Sequence, residues 1–178
     1  SYVMTFLVSA GKGIDDFNVI IEIPANGGEV KYEYDKELGF LTVDRFMPTS
    51  MRYPCNYGFV PSTLAQDGDP LDVLVLTPVP VQPGVLMRVR ALGIMKMEDE
   101  AGEDSKVLAV PVVKACRAYE AIQSLKDISS LLLDAISHFF ERYKDLEPNK
   151  WAKVKGWEDK EAAKKEFEAS IVRFKEKK

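Results

Sequence analysis

Three carboxylates fall within six residues in Asp67-Gly-Asp-Pro-Leu-Asp72, immediately before the apolar run Val73-Leu-Val-Leu76. Gly68 and Pro70 supply turn chemistry, so the pattern predicts an acidic loop that feeds directly into a strand. Two carboxylates about 4 Å apart repel by about 4 kcal/mol at an effective dielectric near 20. A fold that gathers them needs a cation or a proton between them. Their oxygens suit a hard divalent ion such as Mg²⁺ or Mn²⁺ better than zinc.

Rival readings of this stretch are a solvated turn, an EF-hand and a phosphatase loop. Asp, Gly and Pro favour turns on their own account, so the composition alone implies no ligand. The EF-hand fails on spacing: its sixth position would be Asp72 in place of Gly and its twelfth Pro78 in place of Glu. A phosphatase of the haloacid dehalogenase type carries Asp-x-Asp after an apolar strand. Here Ser62-Thr-Leu-Ala-Gln66 precedes the acids and the apolar run follows them. The order is reversed.

The chain of 178 residues suits one domain, spanning 1–178, with no internal repeat and no linker to a second one. Its hydrophobic fraction of 46% and charged fraction of 29% describe a globular protein. A net charge of −4 argues against nucleic acid as a partner. No run approaches the ~20 apolar residues of a membrane span. Residues 2–8 are apolar without a basic leader, so they are expected to pack on the domain surface rather than to act as a signal peptide. Cys55 and Cys116 have neither metal-ligand spacing nor a disulfide framework and are read as free thiols of a cytoplasmic protein.

Along the chain, residues 17–23 and 41–46 read as strands, and residues 30–34 alternate so that Lys31 and Glu33 share a face. Together these suggest a meander carrying Glu22, Lys31, Glu33 and Arg45. Residues 47–66 read as a long connection, of the kind that often carries function. It contains Arg52-Tyr-Pro-Cys-Asn-Tyr-Gly58, whose phenols can donate to an anion. A strand over 72–76 follows the acidic loop. Residues 86–97 form a longer strand or a strand pair interrupted near Gly93. A second acidic turn, Glu98-Asp-Glu-Ala-Gly-Glu-Asp-Ser-Lys106, leads into a strand over 106–110. The two acidic turns are expected to meet at one end of a closed sheet.

The last third reads as helical. Ile128, Leu132, Ala135 or Ile136, Phe139 and Tyr143 keep a helical period, with His138 set beside core positions in a packing or subunit-contact role. A second helix after Trp157 carries Ala163, Phe167, Ile171 and Phe174, with acids at its start and lysines at its end to match the macrodipole. Collecting the charged and phenolic groups gives two sets. The acids are Glu22, Glu33, Asp67, Asp69, Asp72, Asp99 and Asp104; the donors are Lys31, Arg45, Tyr53, Tyr57, Lys106, Tyr143 and Lys144. Acids for hard cations beside donors for phosphate oxygens describe a metal-dependent phosphoryl-transfer site.

With these motifs in place, the chain resembles the soluble inorganic pyrophosphatases of the family I, bacterial type, over essentially its whole length. The signature Asp-x-Asp-Pro-hydrophobic-Asp-hydrophobic is met by Asp67 through Val73. Ile21-Glu-Ile-Pro, Lys31-Tyr-Glu, Val43-Asp-Arg-Phe, Tyr53-Pro-Cys-Asn-Tyr-Gly, His138-Phe-Phe-Glu and Tyr143-Lys-Asp-Leu-Glu match in the same order.

The resemblance implies an α+β protein: a distorted, five-stranded OB-like β-barrel with two main outer helices. It implies hydrolysis of diphosphate to two phosphates with several Mg²⁺ ions, Mn²⁺ or Zn²⁺ acting as substitutes, in a cytoplasmic homohexamer. Asp67, Asp72, Asp104 and Asp99 would be metal ligands, with Glu33 and Glu22 shaping the site and holding metal-bound waters. Asp69 would be the general base. Lys31, Arg45, Tyr57, Tyr143, Lys144 and Lys106 would hold the phosphates, with Tyr53 close by, and Lys31, Arg45, Tyr57 and Glu22 would assist catalysis. The rival functions are a metal-dependent phosphatase acting on nucleotides or other phosphoesters and an OB-like nucleic-acid module. The module should show a basic stripe and stacking aromatics, whereas the conspicuous cluster here is acidic.

Overall fold

The computed structural model describes residues 8–177, so the expected packing of residues 2–7 lies outside the described part. Ten strands run in chain order as β1 (Gly11–Gly13), β2 (Asp16–Ile23), β3 (Val30–Asp35), β4 (Phe40–Phe46), β5 (Asn56–Phe59), β6 (Asp72–Val75), β7 (Leu86–Asp99), β8 (Gly102–Glu103), β9 (Lys106–Pro111) and β10 (Ala152–Glu158). Two helices, α1 (Ser130–Arg142) and α2 (Lys160–Glu176), complete the frame.

The sheet closes on itself. Its order runs β2-β5-β6-β9-β7, and β7 returns to pair with β2, so five strands form an uneven ring with β1, β8 and β10 attached at its margins. All these pairings are antiparallel except β6 with β9, which run parallel with Asp72 opposite Lys106. That single register places a strand-start carboxylate beside a strand-start lysine. Closure also requires close backbone approach. A Cβ on Gly58 would stand 2.1 Å from the carbonyl oxygen of Ile20, so β5 can lie against β2 only with glycine there.

Both faces of the ring strands are buried, which is why β6 and β9 read as unbroken apolar runs. Val73, Val75, Val107 and Ala109 pack in one core with Phe17, Val19 and Ile21, beneath Ala163 and Phe167 of α2. The alternate residues Leu74, Leu76, Leu108 and Val110 pack in a second core beneath Ile136, Phe139 and Phe140 of α1. The two helices therefore cover opposite faces of these strands. Asp159 caps α2 by accepting the Ala162 N–H at 3.1 Å.

Several sequence expectations change in detail. β3 and β4 do not continue β2 as a meander; they form a separate two-stranded hairpin. A bulge between Lys31 and Tyr32 breaks its alternation. The long connection 47–66 contains β5, and within the last third, read as helical, the segment between the helices forms β10 along β7. β7 is one strand with a register shift between Ala91 and Gly93, not a pair. In α1 the buried position is Ile136 while Ala135 is exposed, and His138 also faces outward, which sets aside the packing half of its expected packing or subunit-contact role.

Candidate active site

The acidic loop, the ends of the ring strands, the β3–β4 hairpin and the segment after α1 enclose a cavity of about 270 Å³. Glu22, Glu33, Asp67, Asp69, Asp72, Asp99 and Asp104 all line it, so the two acidic turns do meet. Lys31, Arg45, Tyr57, Tyr143 and Lys144 line it as well. Two expected residues do not reach the lining. Tyr53 is 2% exposed and packs beneath it, its ring 4.6 Å from Phe139, 5.5 Å from Tyr57 and 6.1 Å from Tyr143. Its backbone explains this placement: Tyr53 N–H donates to the Gly27 carbonyl at 2.8 Å, which ties the residue to the turn behind the site.

Lys106 is the other. Only 1% exposed, its ammonium donates to Asp72 Oδ2 at 2.9 Å, Asp104 Oδ2 at 3.2 Å and Tyr57 Oη at 3.0 Å. It lies 4.9 Å from the Tyr57 ring centroid and 5.5 Å from that of Phe140. Burial opposes its charge, but Asp104 and Asp72 outweigh that cost and raise its proton affinity well above the usual lysine range. Lys106 is therefore a fixed positive floor under the acids.

Three of the acids are short of positive charge. Burial raises the Glu22 carboxyl to about 8 against the opposing pull of the Tyr34 N–H, which donates to Glu22 Oε2 at 2.8 Å. Burial likewise raises Asp67 to about 6, and raises Asp104 to about 7 despite Lys106. Asp99 goes the other way. Burial would raise it, yet the ammonium of Lys144 at 3.0 Å and the N–H of Ala101 at 2.8 Å together hold it below the usual carboxylate range. Asp99 and Lys144, expected to hold metal and phosphate separately, are thus partners of each other in this structure. Tyr57 and Tyr143 are driven upward first by burial and remain neutral phenols able to donate.

Among the described residues no three acid, histidine or cysteine side chains already stand at metal-holding spacing. The donor set nevertheless fits a hard divalent cation. It consists wholly of carboxylate oxygens, and the three that burial leaves under-compensated, Glu22, Asp67 and Asp104, are those a cation would relieve.

Around the rim, each expected cation is anchored. Lys31 Nζ lies 3.5 Å from Asp44, and Arg45 is clamped by Asp44 at 2.8 Å on Nη1 and Glu147 at 2.7 Å on Nε. Lys150 reaches Glu147 at 3.5 Å, and Glu100 adds a second acceptor to Lys144 at 3.5 Å. Glu100, Asp44 and Glu147 were not singled out from the sequence, although each sits inside a quoted motif, Glu100 beside Asp99, Asp44 beside Arg45 and Glu147 three positions after Lys144. Opposite charges close together in the last two of these motifs were the signal for Asp44 and Glu147. Lys36, Tyr32 and Tyr34 also line the cavity, and only the folding of the hairpin over the site brings Lys36 there.

A sequence model described as inorganic pyrophosphatase matches residues 19–175. The chain belongs to the inorganic pyrophosphatase family. It is 57% identical over 171 residues to the inorganic pyrophosphatase of Escherichia coli K12, covering 96% of this chain and 97% of that one. It is 56% identical to that of Vibrio vulnificus YJ016 with the same coverage. Among solved structures, the Helicobacter pylori inorganic pyrophosphatase superposes with a TM-score of 0.90 at 47% identity, covering 94% of this chain and 98% of that one. The Thermus thermophilus inorganic pyrophosphatase gives 0.86 at 43% identity, with 94% and 99% covered. These relatives place the chain in the bacterial, family I type with an OB-like fold. Its enzyme class is that of an inorganic diphosphatase, a phosphoanhydride hydrolase. The expected architecture and family are both met.

Proposed function

We propose that this pyrophosphatase cleaves diphosphate with Mg²⁺ by attack of a water oriented and deprotonated by Asp69. The observation that carries this reading is the convergence of eight carboxylates with lysine, arginine and tyrosine donors on one cavity. Asp67, Asp72, Asp104 and Asp99 would hold the metal, with Glu33 and Glu22 behind them. A divalent cation, when bound, supplies positive charge to the diphosphate oxygens and lowers the proton affinity of the attacking water.

Lys31, Arg45, Tyr57, Tyr143 and Lys144 bind the two phosphate groups from the rim, and Lys106 maintains positive potential beneath the acids. Asp69 accepts the proton of the water as its oxygen attacks phosphorus and the bridging P–O bond breaks. The bond's electron pair leaves with the departing phosphate, on which the lysine and arginine donors stabilise the growing charge. The rate derives from positioning and electrostatics, since no covalent intermediate is needed. We further propose one domain over 1–178, working in the cytoplasm as a homohexamer, without nucleic-acid or membrane partners. Among the described residues no helix is long and apolar enough to cross a membrane.

The test is phosphate release from diphosphate with Mg²⁺, beside a chelator control and a panel of nucleoside triphosphates and phosphomonoesters. Rapid, chelator-sensitive release from diphosphate alone is expected. Faster release from the phosphoesters would replace this reading with a broader phosphatase, and insensitivity to chelator would remove the metal from it.

A further inference from the structure

Lys36 and Lys150 are the lining cations that the roles above leave unused, and Lys150 is held by Glu147 at 3.5 Å. Among the described residues Lys36 makes no ion pair, whereas Lys31, Arg45, Lys144 and Lys150 at the same rim each have a carboxylate within 4.0 Å. Its backbone is held in place. Asp35 Oδ1 accepts the N–H groups of Glu37 and Leu38, both at 2.9 Å, and the Asp35 carbonyl accepts the Gly39 N–H at 2.8 Å. The turn at the hairpin tip is thereby locked, and Lys36 is fixed within it.

The side chain lies between the main cavity and a small adjoining cleft formed with Phe59, Pro70 and Phe174. A half-buried lysine in such a slot shields its methylene stem and leaves the ammonium to find an anion. The charges facing it are Asp69, Glu22 and Glu33, with Lys177 at the end of α2 adding repulsion. Desolvation leads in lowering its proton affinity, as expected of an ammonium that burial has deprived of water without supplying a close partner.

We propose that Lys36 is a further substrate-holding residue, donating from its ammonium to the phosphate group that lies beside Asp69. The inference rests on the diphosphatase reading above and deepens it. The paired rim cations must share their charge with protein carboxylates, while Lys36 offers its donors undivided to an anion entering on the Asp69 side. Holding that phosphate would add affinity for the diphosphate as a whole, alike in the reactant and the transition state.

The experiment compares Lys36→Gln and Lys36→Arg with the unaltered chain, using diphosphate turnover and calorimetric titration of inorganic phosphate, both with Mg²⁺. Charge-assisted hydrogen bonds of this kind predict that Lys36→Gln raises KM for diphosphate about tenfold or more. Its kcat should stay within about twofold, since the residue binds the reactant and the transition state alike. Phosphate affinity should weaken in parallel, Lys36→Arg should recover most of both, and thermal stability should be retained. A lysine that only offsets the neighbouring carboxylates would leave KM and phosphate affinity unchanged in Lys36→Gln, and that result overturns the proposal. Failure of the unaltered chain to release phosphate would instead overturn the diphosphatase reading, and this inference with it.

Discussion

Asp69 is positioned by its backbone rather than by a partner for its carboxylate. Its N–H donates to Asp67 Oδ1 at 3.0 Å and its carbonyl accepts the Ala65 N–H at 2.7 Å, so the loop fixes its Cα. Among the described residues no hydrogen bond or ion pair occupies the carboxylate itself, which leaves it open to a water. Asp69→Asn is nearly isosteric and removes only the proton acceptor. Turnover should fall more than about tenfold while the melting temperature stays put; wild-type-like turnover in the purified variant would take Asp69 out of the mechanism. A second residue-scale consequence concerns pH. The carboxyls of Asp67, Asp104 and Glu22 sit at about 6, 7 and 8, each above its ordinary value. A group raised in this way contributes stability that is complete below its unfolded-state value and lost as pH climbs through its folded one. The metal-free protein should therefore melt at progressively lower temperature between about pH 5 and pH 8. Mg²⁺ should flatten that slope by replacing the protons, with proton release on binding. A melting temperature that rises over this range without metal would contradict the assignment of these acids as under-compensated.

The element that forms the floor of the site is α1. Phe140 is fully buried, its ring 6.1 Å from Tyr57 and 5.6 Å from Tyr143, and it also lies under the Lys106 ammonium. Phe140→Ala should cost about 3–5 kcal/mol in chemical denaturation by opening a cavity there. It should weaken diphosphate binding as well, because both phenols and the lysine lose a wall; loss of stability with unaltered KM would show that the floor is over-determined by the sheet. How legible such elements were depended on how much of their pattern was local. β2, β6 and β9 announce themselves as apolar runs because both their faces are covered. β5 was hidden by its polar members. Asn56 is wholly buried, yet its carboxamide donates to the Val75 carbonyl at 2.9 Å and accepts the N–H groups of Ala25 and Val81, both at 3.0 Å. A side chain with that role looks like loop in a sequence. β10 was hidden by exposed Lys153 and Lys155 and by Gly156 at φ 136°. The site acids were readable because they cluster along the chain, whereas the Arg45–Glu147 clamp spans 102 positions and exists only after folding.

At the scale of the molecule, the described chain leaves large apolar side chains in solvent. Phe46 is 74% exposed, Phe40 70% and Leu131 77%. Single exposed apolar residues are ordinary, but Leu131, Ala135 and His138 follow one another at i, i+4 and i+7 and all face outward. They form one stripe on the face of α1 opposite the buried Ile136, Phe139 and Phe140. A stripe of this kind suits packing against another copy, because a two-fold contact brings the same surface patch of both subunits together. The stripe thus offers the proposed homohexamer one of its contacts, since a two-fold contact alone closes only a dimer. Sedimentation at working concentration should give a hexamer, and Leu131→Glu should dissociate it by placing like charges opposite one another across the contact. Because this stripe faces away from the cavity, the dissociated variant should keep its secondary structure and retain measurable turnover. A monomer in the unaltered chain would remove the assembly altogether. A hexamer indifferent to Leu131→Glu would move the contact off α1 and onto other exposed apolar groups, beginning with Phe40 and Phe46 of the β3–β4 hairpin.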